Sequence, residues 1–349
     1  MIQNISLSGF TTFNENKFDF CKGINVITGL NGTGKTHLLK AMAASLQANN
    51  DFNNSTSQAK DKLEALIADN LMAYFKPMQL GRLVKRQPGR TNASISLKYK
   101  NKLLEYSFAS NSKTNVRVEK NSLVGVANNQ LYIPPREMFS LYEGFLGLIK
   151  NREVSFDATY IKYAEALNAP ILKGPRAEKI ADLINPLEEA LNIKVVKKHE
   201  RFYIKDQTGE MEAHLVAEGI RKLASIMYLV LNGELNKNSI LFWDEPEANL
   251  NPTLIKVVAN FLTILASKGL QIFISTHDYL LSHLLSLSAE YPVITEAPEM
   301  KFFSLTKPDG NINVESGNTL IDIKNNPILD EYEDYYNLQQ EYLNKQLAL

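Results

Sequence analysis

The first third of the chain alternates between strand-like and helix-like patterns of apolar and polar residues. Segments 2–10 and 17–20 alternate in the way of strands with one buried face, and the apolar segment 24–28 predicts a strand buried on both faces. Helical spacing follows in 36–42 and again from about 58 to 75. The polar run 49–57 between these two helices is interpreted as a surface loop.

The remaining patterns complete a mixed architecture. Alternating segments predict strands at 93–99 and 103–108, and apolar runs predict buried strands at 239–243 and 271–275 with a helix between them. Helices are predicted within 138–191, short strands at 194–197 and 202–204, and a hairpin at 301–305 and 311–314 before a final helix. This order predicts an α/β fold with a mostly parallel sheet, flanking helices and an antiparallel lobe.

The segment after the third predicted strand has a phosphate-binding pattern. Residues 29–36 read Gly-Leu-Asn-Gly-Thr-Gly-Lys-Thr, which fits G-x-x-x-x-G-K-[ST] between a strand and a helix. Glycines allow successive backbone N–H groups to converge on a phosphate, Lys35 adds a positive charge, and Thr36 offers a hydroxyl to Mg²⁺. We therefore expect ATP to be bound by Asn31, Gly32, Thr33, Gly34, Lys35, Thr36 and His37.

Two acidic residues end the predicted strand 239–243. Behind a P-loop they indicate a Walker B strand, in which Asp244 holds Mg²⁺ and Glu245 orients and polarises the attacking water. An acidic pair alone is also typical of a helix N-cap. His277, which follows strand 271–275, stands where a γ-phosphate sensor would lie, although a lone histidine after a strand is usually structural. Ala217-Glu218-Gly219 opens a predicted helix and by itself is a weak signal.

The order of these motifs resembles the ABC-class ATPases. More narrowly, it resembles the soluble branch that contains SMC, RecF-like and OLD-type proteins and the stand-alone ATPases of bacterial anti-phage systems; segments 1–20 and 132–137 share this resemblance. It implies a P-loop NTPase fold, namely an ABC-type ATPase head with an antiparallel β lobe and a helical insertion. It also implies a homodimer in which ATP lies between the P-loop of one subunit and the signature turn 217–219 of the other. Lys35, Glu245 and His277 would be catalytic, and Thr36 and Asp244 would bind Mg²⁺.

Several positions depart from the family pattern. Ala217 replaces the signature serine, and Asn249 and Asn251 stand where an aspartate is common. Gln130 is the nearest Q-loop candidate, but a polar residue at the start of a strand is the preferred interpretation. We expect one ABC-type domain over 1–349, divided into a P-loop lobe at 1–48, a helical insertion at 49–92, an antiparallel β lobe at 93–135, a helical subdomain at 136–206, the signature, Walker B and switch-histidine region at 207–290, and a C-terminal hairpin and helix at 291–349.

The composition of the chain limits the classes of binding partner that can be expected. Lys and Arg number 38, as do Asp and Glu, so no global positive field favours nucleic acid. Local binding stays open at two basic clusters, for which a solvated surface is preferred: Arg82, Lys85, Arg86 and Arg90, and Lys197, Lys198 and Arg201. The acidic run 330–336 is likewise interpreted as a solvated helix face. The single Cys21 suits a reducing compartment, and no zinc-binding spacing occurs.

The functional hypothesis follows from the motifs and the resemblance. No signal peptide or membrane span is expected, so a cytoplasmic location is predicted. The main hypothesis is an ATP-binding and ATP-hydrolysing switch or scaffold that works with a separate effector, a nuclease or toxin, in phage defence. The alternative is a nucleic-acid-binding repair ATPase of the RecF or SMC type.

Overall fold

The computed structural model describes residues 1–151, 155–198, 200–292 and 298–347. Within these ranges the strands are β1 Ile2–Ser8, β2 Glu15–Asp19, β3 Ile24–Gly29, β4 Asn92–Tyr99, β5 Lys102–Ala109, β6 Arg117–Asn121, β7 Gln130–Ile133, β8 Lys194–Lys198, β9 Arg201–Asp206, β10 Gly209–Glu212, β11 Ile240–Asp244, β12 Gln271–Ser275, β13 Met300–Thr306 and β14 Asn313–Gly317. The α-helices are α1 Lys35–Asn53, α2 Lys60–Phe75, α3 Phe145–Lys150, α4 Ala158–Asn168, α5 Pro175–Glu178, α6 Ala181–Leu191, α7 Glu218–Leu231, α8 Pro252–Ser267, α9 Tyr279–Glu290 and α10 Pro327–Leu347.

A six-stranded sheet forms the centre of the molecule, in the order β14-β13-β3-β12-β11-β7. All its pairs are parallel except the β13–β14 hairpin. Strands β3, β11 and β12 are buried along their whole length, as their apolar sequences predict. Because parallel strands end at the same edge of a sheet, the residues that follow β3, β11 and β12 meet there.

An antiparallel lobe packs on the same face of the central sheet as α1. Its five strands lie in the order β2-β1-β4-β5-β6, and a shared apolar core joins them to α1 and α2. Within that core the hydroxyls of Ser45 on α1 and Tyr106 on β5 lie 2.8 Å apart, in hydrogen-bond contact. The strands predicted at 93–99 and 103–108 and the helix predicted from about 58 to 75 are confirmed.

The interpretation of 49–57 as a surface loop is wrong for its first half. Helix α1 continues to Asn53, and Asn49 and Phe52 are buried. The Asn49 side-chain amide donates to Val126 O at 2.9 Å, and the Asn50 amide donates to Asn128 O at 3.1 Å. These polar side chains therefore extend the helix because a distant loop satisfies their hydrogen bonds.

The opposite side of the central sheet is mainly helical. Helices α4 and α6–α9 share a second apolar core with the three-stranded sheet β10-β9-β8, which contains both short strands predicted before the signature turn. The basic cluster at 197–201 is neutralised locally. Lys198 pairs with Glu210, and Arg201 forms two hydrogen bonds to Glu143 at 2.9 and 3.0 Å. A phosphate would have to displace these carboxylates.

The C-terminal hairpin and helix occur as predicted. Strand β13 extends the central sheet beside β3, and in α10 the run 330–336 is exposed throughout, as its interpretation as a solvated face predicts. Near its start the helix touches the body through the rings of Tyr332 and Tyr279, whose centroids are 4.4 Å apart. Across the described ranges, each helix is too short or too polar to cross a lipid bilayer.

Candidate nucleotide site

The loop between β3 and α1 has the backbone geometry of an anion cradle. Gly32 and Gly34 have φ values of 79° and 98°, which L-residues rarely adopt. A Cβ atom on Gly34 would lie 2.5 Å from Thr12 Oγ1 and 2.9 Å from Phe13 Cζ, whereas one on Gly32 would meet open space. Helix α1 begins at Lys35, so the positive end of its dipole faces the loop. The cradle therefore suits a phosphate group.

The Lys35 side chain lies inside this cradle. Its Nζ donates hydrogen bonds to Gly29 O at 2.6 Å and to Leu30 O at 3.1 Å, and the residue is 7% exposed. Burial lowers the pKa of the ammonium, while the nearby carboxylates of Glu245, Asp244 and Glu247 oppose that shift. A positive charge beside converging N–H groups matches the charge distribution of a polyphosphate.

Asp244, at the end of β11, is held by three hydroxyl groups. It accepts hydrogen bonds from Thr36 Oγ1 at 3.0 Å, from Tyr132 OH at 3.1 Å and from Ser275 Oγ. No group of three or more His, Cys, Asp or Glu residues in the described ranges could hold a metal by itself. Mg²⁺ usually takes one or two protein ligands beside phosphates and water, so the Thr36 and Asp244 oxygens fit its requirements. Sequence reasoning missed the contribution of Tyr132 and Ser275.

Glu245 follows Asp244 in an unusual backbone conformation. Its φ is 49°, in the left-handed region, which costs of order 1–3 kcal/mol for a residue other than glycine. Its side chain is 32% exposed, and Oε1 lies 3.6 Å from His277 Nδ1. The predicted water-orienting carboxylate and the predicted γ-phosphate sensor therefore lie side by side at the sheet edge that carries the P-loop.

A second carboxylate, Glu247, connects the Walker B loop with the end of β12. It is 6% exposed, and its Oε1 accepts from Thr276 Oγ1 at 2.7 Å and from His277 N at 3.2 Å. Burial raises its pKa, against the effect of these hydrogen bonds. Glu247 thus positions the backbone of His277. Sequence reasoning gave this residue no role.

The signature turn lies outside this cluster. Ala217 precedes α7 without a side-chain cap, and the Glu218 carboxylate accepts from Asn249 Nδ2 at 2.8 Å. A Cβ atom on Gly219 would lie 2.8 Å from the side chains of Leu250 and Leu254, so the turn packs against the chain that follows Walker B. Among the described residues, 217–219 form no hydrogen bond with 29–36.

Two other sequence candidates lie away from the phosphate cradle. The His37 ring packs against Phe75 of α2, with ring centroids 5.5 Å apart, which leaves its backbone for the predicted nucleotide contact. Gln130 begins β7 and donates to Ala43 O at 2.8 Å. Because Gln130 pairs with Ile240 at the start of β11, it lies at the sheet edge opposite Asp244, and its interpretation as a strand-start residue is confirmed.

Comparisons with known proteins agree with this geometry. The SMC head bound to the C-winged helix domain of ScpA aligns with a TM-score of 0.53 at 14% identity, covering 90% of this chain and 97% of that one. The Pyrococcus furiosus SMC head with an extended coiled coil, bound to the C-terminal domain of ScpA, aligns with a TM-score of 0.50 at 11% identity, covering 98% and 99%.

A curated relative is similar over a shorter region. Structural maintenance of chromosomes protein 6 of Dictyostelium discoideum is 30% identical over 105 residues, which is 27% of this chain and 9% of that protein. The chain therefore matches less than a tenth of that relative's length.

The sheet order, the P-loop and these likenesses define the P-loop NTPase fold of an SMC-type head, and the predicted fold class is confirmed. A family model matches residues 24–282, which is most of the chain. The chain belongs to that family, described as "AAA domain, putative AbiEii toxin, Type IV TA system".

Proposed function

We propose that the protein is an ATP-driven switch: two copies close around ATP, hydrolysis separates them, and a separate effector protein responds to the change. The observation that carries the proposal is the cluster of Lys35, Thr36, Asp244, Glu245 and His277 at one edge of the central sheet. Phosphoryl transfer requires positioning and charge stabilisation, and this cluster offers groups of both kinds.

Binding uses the first part of the cluster. The backbone of residues 31–37 and the Lys35 ammonium hold the phosphates, and Thr36 and Asp244 would hold Mg²⁺. When bound, the metal would supply charge that neutralises the phosphate oxygens. Tyr132 and Ser275 keep the Asp244 carboxylate oriented toward Thr36 through their hydroxyl groups.

Hydrolysis uses the second part. The Glu245 carboxylate accepts a hydrogen bond from the attacking water and polarises it, while His277 contacts the γ-phosphate. Glu247, two residues after Glu245, supports the role of His277, because its carboxylate accepts a hydrogen bond from the His277 backbone N–H. The partial exposure of Glu245 and His277 leaves room for the water and the nucleotide.

Closure uses the signature turn of a second copy. The turn lies outside the cluster of its own chain, and α7 begins there with the backbone N–H groups of Glu218 and Gly219, which have no acceptor within the helix. Because Ala217 offers no hydroxyl, these N–H groups and the helix dipole carry the contact with the γ-phosphate.

The separate effector is part of this proposal and not a property that the family description assigns. The two SMC heads described above are each bound to a domain of another protein, ScpA, and the family description includes the words "Type IV TA system". A role in phage defence rests on the resemblance to anti-phage ATPases. We further propose that the effector reads the closed dimer, because ATP binds the open and closed states with different affinity.

A nucleic-acid-binding function is the second candidate, favoured by the similarity to SMC protein 6. The exposed residues Arg82, Arg86 and Arg90 offer a local basic surface, in contrast to the neutralised cluster at 197–201. Binding to duplex DNA that requires ATP and weakens steeply with salt would favour this candidate.

The test is the molar mass of the Glu245→Gln protein, measured by light scattering with and without ATP and Mg²⁺. We expect ATP to double the mass, because the variant binds nucleotide and cannot hydrolyse it. The double variant Lys35→Ala, Glu245→Gln is the control and should keep its mass. An unchanged mass in Glu245→Gln that binds ATP would refute the closure mechanism, and an unchanged hydrolysis rate would refute the role of Glu245.

A further inference from the structure

A buried lysine connects the signature helix to the Walker B loop. Lys222 is the fifth residue of α7, at the start of its second turn and three residues after Gly219, and is 2% exposed. Its Nζ donates hydrogen bonds to the backbone carbonyls of Glu245, at 2.8 Å, and Ala248, at 3.3 Å. It therefore binds both ends of the loop that contains the proposed water-orienting residue.

General energetics do not require a lysine at this buried position. Burial lowers the pKa of Lys222 to about 8, although Glu247 and Glu245 favour its charged form. Placing an ammonium in a protein interior is costly, and an apolar side chain of similar volume is often equally or more stabilising at such positions. The interaction with the loop is therefore better explained by a requirement of the site.

The carbonyl that Lys222 holds belongs to the strained residue. Glu245 has a φ of 49°, and a left-handed conformation at a residue other than glycine persists only where surrounding contacts enforce it. The Glu245 N–H donates to Ser275 O at 2.9 Å, and its C=O accepts from Lys222. These two contacts fix the peptide groups on both sides of the Glu245 Cα, and with them the direction of its side chain.

Arg221, the neighbour of Lys222, holds the first turn of α7 through contacts with other segments. Arg221 Nε donates to Glu137 at 2.9 Å, and its Nη1 donates to Val216 O at 2.6 Å. Glu137 is 6% exposed and follows β7, the neighbour of β11 in the central sheet. The signature turn is thus attached to the framework of the site through two adjacent cations.

We propose that Lys222 is a positioning residue for hydrolysis, which holds the loop 245–248 so that the Glu245 carboxylate faces the attacking water. This inference rests on the proposed function, because it requires Glu245 to act on water.

The experiment is a double-mutant cycle between Lys222→Met and Glu245→Gln, with two readouts. The rate of ATP hydrolysis is measured in single turnover, and the ATP dissociation constant is measured by titration. Lys40→Met is the matched control, because Lys40 is also a largely buried lysine. It pairs with Asp157, the residue that precedes α4. Unfolding by urea establishes that each variant is folded.

We expect Lys222→Met to reduce the hydrolysis rate at least roughly tenfold, because small misplacements of a catalytic group have effects of this size. The ATP dissociation constant of Lys222→Met should stay within about twofold of the wild-type value. Because coupled residues are not additive, adding Lys222→Met to Glu245→Gln should change the residual hydrolysis rate less than about twofold. Lys40→Met should lower stability without this coupling.

Three results would overturn the inference: an unchanged rate in Lys222→Met, losses that add to those of Glu245→Gln, or a loss confined to ATP affinity. If Lys222→Met does not fold, Lys222→Gln, which keeps a donor of shorter reach, enters the same cycle and is judged by the same outcomes. Failure of the proposed function is distinguishable, because the unaltered protein would then hydrolyse no ATP.

Discussion

Replacement of Gly34 by alanine is expected to destabilise the nucleotide-free protein much more than the same replacement of Gly32. Both glycines have positive φ values, so alanine at either position meets a backbone penalty of about 1–2 kcal/mol. A less flexible unfolded chain offsets about 0.4–1 kcal/mol of this penalty. The expected net loss for Gly32→Ala is therefore about 1 kcal/mol, since its Cβ would enter open space.

Gly34→Ala adds a steric term that Gly32→Ala lacks. Its Cβ would lie 2.5 Å from Thr12 Oγ1 and 2.9 Å from Phe13 Cζ, and Phe13 is fully buried. Overpacking of this kind costs about 1–3 kcal/mol, which brings the total for Gly34→Ala to about 2–4 kcal/mol. The two variants should therefore differ by about 2 kcal/mol.

Urea unfolding without nucleotide measures this difference. The fluorescence of Trp243, the single tryptophan, reports directly on the core, because this residue is buried in β11 next to Asp244. Equal unfolding free energies for Gly32→Ala and Gly34→Ala would refute the reasoning, because the backbone term would then account for both. A loss at Gly32 larger than that at Gly34 would refute it equally.

Three further outcomes are expected. Lys35→Ala should abolish ATP binding, which isothermal titration calorimetry would show; binding of normal affinity would exclude a phosphate contact by this residue. Tyr132→Phe should lower the free energy of unfolding by about 1.5–3 kcal/mol in urea, because Asp244 loses a donor in a buried site, and wild-type stability would contradict that role. Burial raises the pKa of Glu247 above 4.5, so the folded state favours the protonated carboxyl group. The stability that this preference contributes is present below pH 4.5 and is lost as the pH rises through the folded-state pKa. The stability of Glu247→Gln relative to the wild type should therefore rise over that interval in urea titrations at stepped pH, and a constant difference would contradict the raised pKa.

Much of the fold can be predicted from the sequence, because the patterns that indicate it lie in short, continuous segments. The P-loop needs eight consecutive residues between a strand and a helix, and the strands that deliver Asp244 and His277 are continuous apolar runs. The edge at which they meet follows from the parallel pairing that alternating strands and helices impose. These steps require no knowledge of side-chain contacts between distant segments.

The contacts that the sequence did not reveal join distant segments. Tyr132 lies 112 residues from Asp244, and the Asn49 amide meets a carbonyl 77 residues away. Hydrophobic patterns rank such residues only as apolar or polar, so they gave Tyr132 no role and assigned Asn49 to a loop. Lys222 was overlooked for a similar reason, because a lysine beside an arginine at a helix start is usually solvent-exposed.

The position of Lys35 has a consequence for ligand selection. The Lys35 ammonium binds Gly29 O and Leu30 O, so both carbonyls already have a counter-charge within the loop. An anion that takes over this ammonium deprives both carbonyls of their partner, and they must then find water. Inorganic phosphate or sulfate would recover few contacts in this exchange, whereas a triphosphate with its metal would recover many. If the loop binds ATP as proposed, this difference favours ATP over small anions.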